Sequence, residues 1–193
     1  MKIENKKVIV LFSGGIDSTA CISYYLQRNF KVEGLFVNYG QKAYKYEKVA
    51  VEKISEYFDI NTQTIKINSK LIIENGVIQG RNNFLLSIAL MNFQYSNGLI
   101  SLGIHSGTDL PDCSKDFVQK EQEIFDVYSS GNITIDCPFV DMTKRDIFEF
   151  CIINKLPLNL TYSCENGSAK QPCGKCSTCK DLIDLYEIES KKP

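Results

Sequence analysis

The chain has no tryptophan, one histidine, five prolines and three methionines among its 193 residues. It also lacks any run of the ~20 apolar residues that a membrane-spanning helix needs. The N-terminal stretch Met1-Lys2-Ile3-Glu4-Asn5-Lys6-Lys7 has neither the hydrophobic core nor the small-residue cleavage site of a signal peptide, so a soluble cytoplasmic protein is expected. A surplus of one charge is missing too. Lys and Arg number 22 against 23 Asp and Glu, a net charge of −1. Phosphate backbones and anionic membranes select for clustered Lys and Arg, so a broad nucleic-acid or membrane face is not expected. No repeat, low-complexity tract or interdomain linker is visible. The Gly-Lys-Ser/Thr of a Walker loop is absent, which excludes that mode of phosphate binding.

What is present is a regular alternation. Lys7–Phe12, Val32–Val37, Thr62–Ile67, Leu99–Ile104 and Ile133–Ile135 read as strands rich in β-branched residues. Between and after them, Thr19–Arg28, Tyr44–Phe58, Asn83–Tyr95, Lys115–Tyr128 and Thr143–Asn154 carry helical spacing. The inward positions are expected at Ala20, Tyr24 and Leu26, then at Val49, Ile54, Tyr57 and Phe58, with Thr143 as a helix cap. Strand and helix in turn predict an α/β fold, a doubly wound parallel five-stranded sheet of Rossmann type. A chain of this size buries roughly 70% of its unfolded surface, enough for a core without staples. Residues 1–158 are expected to form this domain. Residues 159–180 break the alternation, and 159–193 are expected to form a separate metal-binding segment with a C-terminal helix over Asp181–Ile188. In such sheets ligands bind beyond the carboxyl ends of the strands, which directs attention to the segments after the first, second and fourth.

After the first strand comes Ser13-Gly14-Gly15-Ile16-Asp17-Ser18. Glycines let main-chain N–H groups approach an anion closely, and the helix start that follows adds positive potential and unpaired donors. Ser13 and Ser18 offer hydroxyls to phosphate oxygens. Asp17 cannot neutralise phosphate, and is expected to cap the helix or to help hold Mg²⁺. The hexapeptide resembles the Ser-Gly-Gly-x-Asp-Ser signature of the PP-loop ATP pyrophosphatases, which implies cleavage of ATP to AMP and pyrophosphate.

Four of the eight cysteines, Cys164, Cys173, Cys176 and Cys179, follow the spacing C-x8-C-x2-C-x2-C. Two thiolates separated by two residues can reach one ion from a tight turn, and four close a tetrahedral Zn²⁺ site with no position left for water. An iron–sulfur cluster is the alternative, because three cysteines at such intervals resemble part of a ferredoxin run. Cys21, Cys137 and Cys151 are expected to be buried small hydrophobes. Cys113 lies beyond the fourth strand and is expected to line the site. The single histidine, His105, fits a hydrogen-bonded loop residue as well as a catalyst and is assigned no role.

With both motifs in place, the chain resembles the QueC family of 7-cyano-7-deazaguanine synthases over nearly its whole length. Further matching segments are Asn38-Tyr39-Gly40-Gln41 with Glu47 beyond, Gly80-Arg81-Asn82, Pro111-Asp112-Cys113 with Phe117, Pro138 with Lys144, and Thr161-Tyr162-Ser163-Cys164 leading into the other three cysteines. The resemblance implies an ATP-dependent ligase that adenylates the carboxylate of 7-carboxy-7-deazaguanine. Ammonia then gives the amide, and a second ATP gives the nitrile. It also implies Mg²⁺ and Zn²⁺ as cofactors and a homodimer. Nucleotide binding falls to Ser13, Gly14, Gly15, Asp17, Ser18, Tyr39, Gln41, Arg81 and Asn82. Asp17, Arg81 and Lys144 are the expected catalytic residues, the two cations offsetting phosphate charge; Lys144 sits at an unfavourable helix start, which a bound anion would explain. Leu110, Asp112 and Cys113 are the expected substrate contacts, with Asp112 accepting from the purine-like N–H groups. No glutaminase is visible, so ammonia must be free or delivered by a partner.

The chain departs from the family pattern in places. The segment between the third strand and Gly80 is abbreviated, and Gly103–Cys113 is two residues shorter. Leu110 replaces an aromatic, Ser114 an arginine and Tyr162 a tryptophan, all expected to border the base pocket. QueC-like paralogues in antiphage systems suggest a protein amine as alternative acceptor. Other readings are a tRNA-modifying thiolase or lysidine-type ligase, and a non-catalytic module that binds zinc and nucleotide.

Overall fold

The computed structural model describes residues 6–68, 78–167 and 171–191. Most of the abbreviated segment before Gly80, and residues 1–5, lie outside the described residues. The elements run β1 (Lys7–Leu11), α1 (Ile16–Leu26), β2 (Lys31–Asn38), α2 (Tyr44–Phe58), β3 (Asn61–Lys66), α3 (Arg81–Met91), β4 (Gly98–Ser101), α4 (Lys115–Ser129), β5 (Ile133–Asp136), α5 (Lys144–Ile153) and α6 (Ser177–Ser190). Single turns of 3-10 helix lie at Pro111–Cys113 and Leu158–Leu160. All pairings in the five-stranded sheet are parallel, in the order β3-β2-β1-β4-β5. The expected α/β class, strand number and parallel sheet are therefore observed.

Alternation along each strand divides the core into two layers, as the period of two requires. Val8, Val10, Phe12, Val32 and Phe36 face one way and pack with α1, α2, α5 and α6. Ile9, Leu11, Leu35, Val37 and Ile100 face the other way and pack with α3 and α4. Because β2 lies to one side of β1 and β4 to the other, the order reverses at β1, and a crevice opens there at the carboxyl ends.

Several expectations need correction. In α1 the fully buried tyrosine is Tyr25, not Tyr24. The helix is wedged between the sheet and α5, so the Tyr25 hydroxyl passes beneath it to donate to Asp136 Oδ2 at 2.7 Å and Ser101 Oγ at 3.1 Å. Tyr24 lies under the Arg28 guanidinium. In α2, Ala50, Val51 and Ile54 are buried, while Val49 and Tyr57 point outward, because small side chains are needed where the helix presses on the loop after β1. The fourth strand stops at Ser101 although Leu102 and Ile104 are buried, since the chain turns there to follow the cavity. Helix α3 starts earlier than expected, on Gly80 in the left-handed region, so Arg81 and Asn82 stand in its first turn. Helix α6 begins at Ser177, within the cysteine cluster. Cys21, Cys137 and Cys151 are buried as expected. Thr143 caps α5 in a reciprocal capping box with Asp146. Among the described residues, no helix is long and apolar enough to cross a membrane.

Candidate active site

A cavity of about 460 Å³ opens at the carboxyl ends of β1, β2 and β4. Its floor is apolar, from Leu11, Phe12, Phe36, Val37, Leu102 and Ile104. Its polar rim is assembled from loops.

The loop after β1 supplies Ser13, Asp17 and Ser18. Gly14 and Gly15 are not among the lining residues but shape the loop. Gly14 has φ 76°, and a Cβ there would lie 2.9 Å from Ala50 Cβ and 3.0 Å from the Glu47 carbonyl oxygen, so α2 can pack on the loop only across a glycine. Gly15 is the extended cap residue of α1. The Ser13 N–H donates to Ser18 Oγ at 3.3 Å, and Ser13 Oγ accepts from the Gly15 N–H at 3.4 Å. Both hydroxyls are thus held beside the start of α1, where its dipole favours an anion.

Asp17 neither caps α1 nor stands alone. Its carboxylate is paired with Lys144 Nζ at 2.5 and 2.7 Å. Lys144 opens α5, and its own protein supplies the counter-charge that was expected from a bound anion. Arg81 lines the cavity from the first turn of α3; its guanidinium reaches Asn82 Oδ1 at 3.4 Å and the Tyr39 hydroxyl. Among the described residues, Arg81 makes no ion pair. Asn82 is buried and donates to the Asp112 carbonyl at 3.1 Å, clamping the Pro111–Cys113 turn.

The Gln41 carboxamide is fully engaged by the protein. Its oxygen accepts from the Tyr39 N–H at 3.0 Å, and its nitrogen donates to the Val37 carbonyl at 3.0 Å and to Glu47 Oε2 at 2.9 Å. Gln41 therefore shapes the loop after β2. Glu47, noted in the sequence only as part of a matching segment, lines the cavity; burial raises its pKa against the Gln41 hydrogen bond and the Arg81 charge. Burial likewise pushes up the Tyr39 hydroxyl and the Cys113 thiol.

Leu110 and Cys113 line the cavity, but Asp112 does not. Of the three departures expected to border the base pocket, only Leu110 lines the cavity. Ser114 caps α4, accepting from the Phe117 N–H at 3.2 Å. Tyr162 is buried and stacks on Tyr46, with ring centroids 5.3 Å apart.

The four cysteine sulfurs Cys164, Cys173, Cys176 and Cys179 lie within 4.8 Å of one another, with the Cys173 and Cys179 sulfurs 3.9 Å apart. Thiolates on a tetrahedral zinc with ~2.3 Å bonds stand roughly 3.8 Å apart, so the cluster fits such an ion. Burial pushes the Cys164 thiol up, but the N–H groups of Cys173, Asn166 and Gly167 outweigh it and bring it down to about 6. Burial and its thiol neighbours push Cys179 up to about 12. Thiols this close cannot all ionise without a cation among them, as the chemistry of the donor set requires.

Sequence reasoning missed how closely this segment joins the cavity. The Tyr162 N–H donates to the Gly14 carbonyl at 2.9 Å, and Ser163 Oγ accepts from the Ile16 N–H at 3.3 Å. Glu165, Ser177, Thr178 and Asp181 complete the cavity wall, and His105 lines it from the loop after β4. No local signal marks the four wall residues, because only tertiary packing brings Glu165 and the start of α6 to the cavity.

Comparison with known proteins agrees with this architecture. Two solved structures share the fold at 18% identity: a predicted subunit of tRNA methyltransferase from Methanocaldococcus jannaschii, with TM-score 0.56 over 76% of this chain and 74% of that one, and NMN synthetase from Francisella tularensis, with TM-score 0.51 over 98% and 79%. The 7-cyano-7-deazaguanine synthase of Prochlorococcus marinus strain MIT 9312 is 31% identical over 97% of this chain and 96% of its own length. That of Pseudoalteromonas translucida strain TAC 125 is 30% identical over 96% and 95%. The first of these alignments runs over 217 positions against a chain of 193 residues, so internal segments of that relative are missing here. The family model described as queuosine biosynthesis protein QueC matches residues 7–79 and 69–182, which takes in the phosphate loop, the Arg81 turn and all four clustered cysteines. On that match, and on the likeness along both full lengths, the chain belongs to the QueC family.

Proposed function

We propose that this chain is an ATP-dependent carbon–nitrogen ligase that converts 7-carboxy-7-deazaguanine to 7-cyano-7-deazaguanine. The observation that carries the reading is the phosphate loop opening into a cavity rimmed by Lys144 and Arg81. The names of the relatives supply the substrate class.

The substrate carboxylate attacks the α-phosphorus of ATP, and pyrophosphate leaves. Ammonia attacks the resulting mixed anhydride and AMP departs, giving the amide. A second ATP activates the amide oxygen, and loss of AMP with the two amide protons leaves the nitrile. Ser13, Ser18 and the start of α1 donate to the polyphosphate, while Arg81 and Lys144 offset charge as it shifts to the leaving pyrophosphate. Asp17 keeps the Lys144 ammonium aimed at that point. Mg²⁺ would neutralise phosphate oxygens beside Asp17, and Zn²⁺ in the four-cysteine cluster would fix the segment that hooks the loop. Residues 1–158 then form the nucleotide domain and 159–193 the metal segment. The enzyme works in the cytoplasm as a homodimer.

A second reading keeps the adenylation and passes the acyl group to a protein amine. It is favoured by the small Leu110 at the rim and the exposed stretch Ser106–Asp109, which leave that side of the cavity accessible to a bulky acceptor. Incubation with the deazaguanine acid, ATP, Mg²⁺ and ammonium tests the first reading. Pyrophosphate release with a nitrile product is expected; pyrophosphate without amide or nitrile would redirect attention to a protein acceptor, and no pyrophosphate at all rejects both.

A further inference from the structure

His105 has no part in the chemistry above, yet its position is tightly built. It follows β4, whose end presses on the phosphate loop: a Cβ on Gly103 would lie 3.0 Å from the Asp17 carbonyl carbon and 3.1 Å from the Ser18 nitrogen. Two residues on, the His105 ring lines the same cavity as Ser13, Asp17 and Lys144. The loop carrying it is fastened to the approach to α5, where the Ser106 N–H and hydroxyl both donate to the Met142 carbonyl at 2.9 Å. Gly107 covers the ring closely. A Cβ there would lie 3.0 Å from His105 Nδ1 and 3.4 Å from the Lys144 backbone nitrogen.

One hydrogen bond decides what the ring can offer. His105 Nδ1 accepts from the Gly107 N–H at 3.1 Å. A neutral imidazole that accepts at one nitrogen carries its proton on the other, so Nε2 is a donor. The charges facing the ring are Asp17 of α1, Lys144 of α5 and Asp181 of α6. The two carboxylates favour the imidazolium and the ammonium opposes it, but burial is the largest influence and lowers the pKa, favouring the neutral ring. A neutral ring of this tautomer has no free lone pair at Nε2 and cannot act there as a general base.

We propose that His105 is a catalytic hydrogen-bond donor, presenting Nε2–H to a phosphate oxygen of the bound nucleotide beside Lys144. A hydrogen bond to a charged acceptor in such a site is worth roughly ten- to a hundredfold in affinity or rate. The proposal rests on the reading of the cavity as a nucleotide site, so the experiment separates the two.

The variants are His105→Phe, which keeps the ring and removes the donor, and His105→Gln, whose carboxamide nitrogen falls near the position of Nε2. Affinity for Mg·ATP is measured by calorimetry and pyrophosphate release is followed from pH 6 to 8, with melting temperature as the check on folding. His105→Phe is expected to weaken Mg·ATP binding about tenfold or more, His105→Gln to stay within about threefold of the parent, and neither KM for the acid substrate to move. The pH profile of the parent is expected to lack any limb that His105→Gln abolishes. Unchanged Mg·ATP affinity in a folded His105→Phe overturns the proposal. So does a Gln variant as impaired as Phe, which would mean proton transfer, or a change confined to the KM of the acid, which would place the donor on a carboxylate. Failure of the parent itself to bind Mg·ATP instead rejects the nucleotide site.

Discussion

Lys144 Nζ lies 2.5 and 2.7 Å from the two carboxylate oxygens of Asp17, joining the first turns of α5 and α1 across the mouth of the cavity. An ammonium at a helix start is unfavourable alone and favourable against a carboxylate, so each residue justifies the other. Both are only partly exposed, at 15% and 24% of their side-chain surface. Lys144→Met leaves Asp17 unpaired next to the phosphate loop. The expected result is a loss of about 10²–10³ in kcat for pyrophosphate release. Stability should fall by an amount between the ~0.5 kcal/mol of surface pairs and the ~3 kcal/mol of buried ones. Stopped-flow pyrophosphate detection and thermal melts check the two parts, and wild-type turnover in Lys144→Met would remove the residue from the mechanism.

With zinc in the four-cysteine cluster, as proposed, the hydrogen bonds from Tyr162 and Ser163 to the phosphate loop predict that chelation acts on nucleotide binding. Stripping the metal should raise hydrogen exchange at residues 13–18 and weaken Mg·ATP binding, before any loss of the sheet. Ser163→Ala removes the acceptor for the Ile16 N–H and should reproduce part of the effect with the metal in place, at a cost of about 1 kcal/mol. Exchange mass spectrometry on the holo, stripped and Ser163→Ala proteins distinguishes this from a purely remote metal, for which residues 13–18 would not respond.

Glu47 sets a pH dependence. Burial raises its pKa in the folded state, so between the unfolded and folded values the native protein binds the extra proton. Stability contributed by that proton is present at low pH and declines as pH rises through the folded pKa. Glu47→Gln keeps an acceptor for Gln41 without the buried charge. It should melt a few degrees higher than the parent at pH 8, with the gap closing as pH falls toward 4. A gap independent of pH would mean that the gain comes from packing.

Gln122 on α4 protects an edge of the sheet. Its carboxamide takes the place of a neighbouring strand, accepting from the Ile135 N–H at 2.7 Å and donating to the Ile133 carbonyl at 3.0 Å. Gln122→Ala should cost about 1–3 kcal/mol for two unpaired backbone groups and should increase concentration-dependent association through β5. Melting curves and sedimentation at several concentrations check both. A variant as soluble as the parent would show that water serves the edge equally well.

The sequence announced the strands, the phosphate loop and the cysteine cluster because each rests on local chemistry: β-branched runs, glycines before a helix start, thiols spaced for one ion. Positions decided by packing were less legible. Tyr25 and not Tyr24 is buried because it faces the sheet, where its hydroxyl reaches Ser101 of β4 and Asp136 of β5, a contact that periodicity alone does not reveal. Val49 and Tyr57 face outward because α2 touches the loop at Gly14, where only Ala50 fits. Asp112 carries a suitable carboxylate, yet the turn that holds it gives its carbonyl to Asn82 and keeps it out of the cavity lining. The cavity wall from Glu165, Thr178 and Asp181 was invisible for the same reason, since nothing near those residues in the chain refers to β1.

Gly14 and Tyr162 meet through a hydrogen bond although 148 positions separate them, and Ile16 meets Ser163 across 147. During synthesis the phosphate loop is therefore made well before the residues that brace it. A nascent chain that has not yet released α6 from the ribosome holds an unbraced loop and an open-sided cleft.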